Sequence, residues 1–383
     1  MPHSLFSPPR LHHSHQTEER RVTWLELFYD LVYVATLIQL GNVFGENLTF
    51  TGSLEFLLIF AALWWAWTGF TFYINRFIVD DLWHRALIFL QIVAVAFLGI
   101  SVEGAFGELT AQFSIFYILV RIVLVVLYWR SMKQAPKAIP LINRYITSYL
   151  VGIVFWTASA FVPQYSLALR GLAILLEVGV IFWPGTRSLQ SLLPPDPPHM
   201  RERYGIFVII VLGESFIKTI TAASGLVVNL EVILFGLMGI FVVFSLWWLY
   251  FGEFEELHLR PNHFAPYIWI YSHLPLSVAL TAFGVGSKKI FLSIGHEYIK
   301  DIYILLYCGS LLLFLVSMAL VESALKTHAP RFNRIPAYVG VGILMIGLIL
   351  FTDHITALPF IVIISAAFAL LLGLEIRHTQ NRA

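Results

Sequence analysis

The sequence has a single cysteine, Cys308, so neither a disulfide framework nor a thiolate metal cluster can be built from this chain. Charge is scarce as well: 12% of residues are Asp, Glu, Lys or Arg, against about 25% in an ordinary soluble domain. The formal net charge of +1 comes with no basic stripe, and no nucleic-acid partner is expected. A Gly-x-Ser-x-Gly elbow, a His-Glu-x-x-His pair, a phosphate-cradling glycine loop and a dinucleotide fingerprint are all absent. Histidines inside apolar segments (His84, His273, His354) lack the facing pairs that a haem needs. The chain is therefore expected not to be an enzyme and to hold no cofactor or metal.

What the sequence has is apolar length. Hydrophobic residues make up 58% of its 383 positions and the mean hydropathy is +0.80, more apolar surface than a water-soluble fold can hide. Lipid is the matching solvent. A helix needs about 20 mostly apolar residues to cross the hydrocarbon core. Twelve segments qualify: 24–44, 54–74, 84–102, 111–129, 142–162, 167–183, 204–222, 231–251, 266–286, 301–321, 336–351 and 357–375, the eleventh being short. Breakers separate them, among them Pro194, Pro195, Pro197 and Pro198, expected to stop any helix. The first 23 residues carry His12, His13 and His15 and lack the apolar core of a cleavable signal, so the first span is expected to stay and to direct insertion.

Basic residues collect in cytoplasmic loops. With the N-terminus inside, eighteen of the 24 Lys and Arg residues fall in inside segments. Only Lys288, Lys289 and Lys300 fall outside, and Arg121, Arg170 and Lys218 lie within spans. Both termini are expected in the cytoplasm of a cell that carries this protein in its plasma or inner membrane, which requires an even number of spans.

Self-comparison finds the same landmarks twice, at offsets of about 183 to 190 residues. Leu63-Trp64-Trp65 recurs as Leu246-Trp247-Trp248, Tyr117-Ile118-Leu119 as Tyr303-Ile304-Leu305, and Asn143-Arg144 as Asn333-Arg334, while Asp30 falls near Glu214. The expected fold is all-α: a polytopic transmembrane helix bundle of about twelve spans in two parallel six-helix repeats. Its divisions are a disordered cytoplasmic tail (1–23), repeat 1 (24–184), a Pro-rich cytoplasmic linker (185–203), repeat 2 (204–376) and a cytoplasmic tail (377–383).

The candidate functional residues are charges at membrane depth. Glu26 and Asp30 stand four apart on one face of the first helix. Glu26 either completes a capping box with Thr23 or acts as a ligand. Asp30, about 10 Å into the membrane, either serves a function or makes a buried structural hydrogen bond. Glu214 and Lys218, about 15 and 21 Å past Tyr204, either neutralise one another as an i,i+4 pair or join a substrate or ion site with Glu26 and Asp30. Arg121 and Glu177 lie near the centres of the fourth and sixth spans, and a structural ion pair is expected between them. Asn75, Arg76, Asp80, Asp81, His84 and Arg85 in one repeat, and Glu253, Glu255, Glu256, His258 and His263 in the other, either line a vestibule or are simply solvated. The Trp64, Trp65, Trp67 and Trp247, Trp248 clusters are expected in an interfacial belt.

Several of these strings resemble the bacterial low temperature requirement A (LtrA) family: Thr23-Trp24-Leu25-Glu26-Leu27-Phe28-Tyr29-Asp30-Leu31-Val32-Tyr33-Val34, Trp64-Trp65-Ala66-Trp67 with Asn75-Arg76-Phe77, Asp80-Asp81 with Arg85, and Glu202-Arg203-Tyr204-Gly205 leading to Val211-Leu212-Gly213-Glu214-Ser215. The family is named for a cold-growth phenotype, and the resemblance implies membership and the importance of Glu26, Asp30 and Glu214. Phe28-Tyr29-Asp30 is also similar to the Phe-Ser-Asp motif of certain six-span potassium channels, but the second repeat has no Phe-x-Asp, which argues against a shared pore. The expected function is movement of an ion, a proton or a small solute across the bilayer. The alternative is a membrane protein that does not transport: a sensor, an assembly factor or an intramembrane enzyme.

Reporter fusions test the orientation. Fusions after residues 50, 108, 165 and 226 should score external and those after 135 and 195 internal; the reverse pattern would invert the topology.

Overall fold

The computed structural model describes residues 8–11, 21–222, 227–252, 259–261, 264–326, 334–351 and 354–380. Thirteen α-helices are formed among them: α1 Trp24–Glu46, α2 Phe50–Arg76, α3 Leu82–Ser101, α4 Thr110–Ser131, α5 Ile139–Phe161, α6 Ser166–Gly179, α7 Thr186–Gln190, α8 Pro197–Ala222, α9 Leu230–Phe251, α10 Ala265–Phe291, α11 Asp301–Ser323, α12 Ile335–Phe351 and α13 Ala357–Gln380. Eleven helical segments are long and apolar enough to cross a membrane, and α12 is a shorter apolar helix. The protein is thus a polytopic helical membrane protein. Within the first 23 residues, Arg10–Leu11 (β1) pair antiparallel with Phe77–Ile78 (β2). His12, His13, His15, Glu253, Glu255, Glu256, His258 and His263 lie outside the described residues.

Helix starts follow capping chemistry. Thr23, Thr49, Asp81 and Asn229 adopt extended backbone and accept from the N–H three residues on, at the heads of α1, α2, α3 and α9. The proline cluster behaves differently from expectation. Pro197 and Pro198 open α8 rather than stop it, and the helix begins seven residues before 204, inside the segment expected to be linker. The reason is that the first helical turn has no use for the N–H that proline lacks, and proline's φ already suits a helix. This brings His199 and Arg203 onto the helix.

The chain forms two compact units, Met1–Phe207 and Val208–Ala383. In the first, α1 packs on α2 and α3, α3 on α4, α4 on α5, α5 on α6, and α2 on α4 and α6. Small residues permit this closeness, as expected where lipid supplies no hydrophobic drive between helices. Gly99 of α3 receives Thr36 of α1, whose hydroxyl donates to Val95 O at 3.1 Å. In the second unit α10 packs on α11, α11 on α12, and α13 on both α9 and α12. Gly284 of α10 there receives Ser215, whose hydroxyl donates to Leu280 O at 2.8 Å.

The tryptophans of α2 correct the expected belt, whereas Trp247, near the end of α9, is exposed. Trp64, Trp65 and Trp67 are buried in the middle of α2, because that helix is covered on most of its circumference. The exposed indoles of the first unit are Trp24, Trp83 and Trp129, at the start of α1, the start of α3 and the end of α4. Helices alternating in direction put these three ends on one side, where amphipathic rings suit the headgroup layer.

Gly152 of α5 is the tightest of these approaches, since a Cβ there would lie 2.1 Å from Glu177 Oε1. Gly152→Ala should lower the thermal unfolding temperature in detergent, at a cost of about 1–3 kcal/mol from overpacking. Gly179→Ala, with nothing within 4 Å, is the matched control. Equal melting of the two variants would show that the α5–α6 contact tolerates a side chain.

Candidate functional site

The head of α1 is tied to the head of α8 by three successive contacts. Val22 N donates to Glu202 Oε2 at 3.2 Å, His199 Nε2 lies 3.0 Å from Glu26 Oε2, and Arg203 Nη2 lies 2.6 Å from Asp30 Oδ1. Positions 26 and 30 are one turn apart and so fall on one face of α1, while Val22 lies just before its Thr23 cap.

Asp30 is fully buried. Its Oδ1 accepts from the Trp67 indole N–H of α2 at 2.6 Å as well as from Arg203. The Arg203 guanidinium reaches the Thr71 hydroxyl at 3.4 Å and lies 5.8 Å from the Trp67 ring centroid. Among the described residues Asp30 Oδ2 has no hydrogen-bond partner, and neither do Arg203 Nε and Nη1, although Nη1 stands 3.9 Å from Glu26 Oε2.

Glu26 takes part in the cap through its backbone, whose N–H donates to Thr23 Oγ1 at 3.3 Å, while its carboxylate meets His199. The histidine's role follows from its other nitrogen. Asn75 accepts from Asp196 N through Oδ1 at 2.7 Å and donates from Nδ2 to Asp196 O at 3.0 Å, which orients its amide. The same Nδ2 lies 3.1 Å from His199 Nδ1. An amide donor there makes Nδ1 the acceptor, so the ring proton sits on Nε2 and is donated to Glu26. The cluster thus sets Glu26 and Asp30 beside the Arg203 guanidinium, with His199 hydrogen-bonded to Glu26.

The neighbouring charges at this end have other work. Asp81 caps α3 through His84 N at 2.8 Å and pairs with Arg130 of α4, while Asp80 and Arg85 form an exposed ion pair at 2.8 Å. Among the described residues no group of three or more His, Cys, Asp or Glu side chains is placed to hold a metal ion.

Deeper in the first unit Arg121 Nη2 lies 2.5 Å from Glu177 Oε2, and both side chains are fully buried. Arg121 also donates to Tyr117 Oη at 2.6 Å and faces the Tyr117 and Tyr149 rings. Gly69 and Gly152 leave the space that the pair fills. Arg170, equally buried, has no carboxylate paired with it among the described residues. It donates to Ala105 O at 2.6 Å and Thr110 O at 2.9 Å, so backbone carbonyls meet its charge.

In the second unit Glu214 and Lys218 of α8 contact one another across one turn, both buried. Arg334, at the head of α12, bridges Glu322 of α11 and Glu375 of α13, and Tyr338 donates to the same Glu322 oxygen.

The structure thus brings Glu26 and Asp30 together with three residues not singled out as site residues from the sequence: Trp67, His199 and Arg203. A signal was present. Trp67 and Arg203 lie in two of the strings that resemble the family, and Asp30 lies in a third. The ratio of one apolar residue to the next says nothing of such partners, which stand far apart in the chain.

The Arg121–Glu177 contact generates a double-mutant test. Arg121→Leu or Glu177→Leu alone leaves a buried unpaired charge, a loss of about 3–5 kcal/mol, and should sharply reduce folded yield. The double Leu variant should recover part of it, and additive losses would show that the two are not coupled.

Comparison with known proteins extends the local likeness to the whole chain. Residues 21–374 match the family described as bacterial low temperature requirement A protein (LtrA). An uncharacterised protein of Rhizobium meliloti (strain 1021) is similar at 25% identity over 367 residues, covering 90% of this chain and 85% of its own. The match over nearly the full length includes the α1, α2 and α8 segments that build the cluster, and the chain belongs to the LtrA family.

Proposed function

We propose that this protein moves an ion or small solute across a cell membrane, as a carrier or channel rather than an enzyme, and that the Glu26–Asp30–Arg203–His199 cluster is its working site. The observation that carries the reading is an unpartnered buried carboxylate oxygen. Glu26 and Asp30 stand beside the Arg203 guanidinium in a buried place on membrane-crossing helices, and Asp30 Oδ2 has no hydrogen bond among the described residues. A carboxylate oxygen without a hydrogen bond at such a depth is costly, and it favours a proton or cation as its partner.

The reading includes two six-helix repeats, with both termini in the cytoplasm. Contacts inside each unit support the repeat. Arg144 at the head of α5 donates to Pro184 O and Thr186 Oγ1, flanking Gly185, and Arg334 at the head of α12 reaches Glu375. Those partners stand about 190 residues apart in the chain, the same spacing as the two arginines. The hydroxyl-to-carbonyl contacts of Thr36 with Val95 and of Ser215 with Leu280, each one turn before a receiving glycine, form a second matched pair. Measured from that contact, Asp30 lies six residues before Thr36 but Glu214 only one before Ser215. The two acids therefore do not hold equivalent positions in the two repeats, and Glu214 already has Lys218. The working site is accordingly placed on the first cluster, with Glu214 and Lys218 outside it.

A second reading, a membrane protein without transport, draws on the fact that Asp30, Glu177 and Glu214 each have a basic neighbour. Flux separates the two. Purified protein in liposomes should move at least one of several cations or protons down an imposed gradient. Asp30→Asn should stay folded and lose at least about tenfold of that flux, as expected when the charge itself binds the ion. Wild-type liposomes without flux would favour the second reading, and normal flux in folded Asp30→Asn would remove the cluster from the pathway.

A further inference from the structure

At the opposite end of α1 and α2 from Asp30, the first unit contains a cavity of 250 Å³. Its floor is apolar: Leu40, Phe44, Phe56, Ile59 and Val102 line it and are all buried. Its rim is acidic. Glu55 and Glu103 line it at half-buried and exposed positions, and neither makes a hydrogen bond or ion pair with any described residue. No Lys or Arg is among the lining residues. Arg170, whose guanidinium lies 5.0 Å from the Phe106 ring centroid, is fully buried and satisfied by backbone carbonyls.

Such a cavity sorts ligands by two properties at once. The floor favours an apolar body, roughly in proportion to the area removed from water. Two unneutralised carboxylates at the rim favour a positive charge, and they repel the anionic form of any ligand of the same shape. A bare metal cation would satisfy the rim and gain nothing from the floor, whereas a neutral apolar molecule would do the reverse.

We propose that this cavity is a binding site for a small amphipathic ammonium ion, with its apolar body on the floor between α1, α2 and the segment that follows α3 and its charged nitrogen between Glu55 and Glu103. This site is distinct from the Asp30 cluster and does not depend on the transport reading. With the termini inside, its mouth faces outward.

The test is calorimetric titration of the full chain in lipid nanodiscs with 2-phenylethylammonium, its neutral isostere 2-phenylethanol, and sodium chloride. The expected result is saturable binding of the ammonium ion, about tenfold or more tighter than the alcohol and not displaced by equimolar sodium. Glu103→Gln and Glu55→Gln should each weaken it about fivefold, the scale of one partly exposed charge contact. Glu103 is exposed, so Glu103→Gln carries the test should Glu55→Gln fold poorly. Asp30→Asn should bind the ammonium ion as the wild type does, which separates this site from the proposed transport site. Equal affinity for the amine and the alcohol, unchanged affinity in a folded Glu103→Gln, or no saturable binding because lipid fills the cavity would each overturn the proposal.

Discussion

Arg203 and Asp30 meet at 2.6 Å in surroundings where neither charge could stand alone. The organisation of the first unit around its α1–α2–α8 corner depends on that meeting. An ionised side chain taken from water into a low-dielectric interior loses several kcal/mol of solvation, and only a close opposite charge with further hydrogen bonds restores it. Trp67 supplies one such bond from α2, and the Thr71 hydroxyl another to the arginine. Three helices are thereby held in one register, because a slip of one residue on any of them would turn a charge toward lipid. The Val22–Glu202 and Glu26–His199 contacts extend the register outward along the same two helix heads.

The same constraint is met in different ways elsewhere. Arg121 is neutralised by Glu177, Lys218 by Glu214 within one helix, and Arg170 by the carbonyls of Ala105 and Thr110. These arrangements balance charge one for one or, at Arg170, meet it with carbonyl and hydroxyl oxygens. Arg334 also stands between two acids, Glu322 and Glu375, but in the α1–α8 cluster both acids are buried and the histidine between Asn75 and Glu26 is confined to one tautomer. Under the proposed function, two buried acids together with a carboxylate oxygen that has no hydrogen bond among the described residues suit this place to a mobile counter-charge. Glycine takes part as well: Gly152 and Gly69 clear the volume that Glu177 and Arg121 occupy.

Much of the fold was legible because a membrane span is a local property. Twenty apolar residues in a row declare themselves without reference to the rest of the chain, and the short 336–351 segment is a short helix in the structure too. Capping at Thr23 is equally local. Errors arose where a residue type has two uses. Proline stops a helix in its interior but opens one at Pro197, and tryptophan favours an interface at Trp24 but serves as a buried donor at Trp67. Composition does not distinguish these uses, since each depends on what covers the residue.

The sequence alone determined that this is a helical, many-span membrane protein of the LtrA kind carrying acids at membrane depth, for hydropathy, breakers and motif strings are all written along the chain. Only the tertiary structure decided which partners Glu26 and Asp30 have. Glu26 meets His199 across 173 residues of chain, and the choice rests on which face of α8 turns toward α1. Coulomb attraction depends on separation in space, and separation in space between distant segments is set by packing, not by any pattern that can be read within one segment.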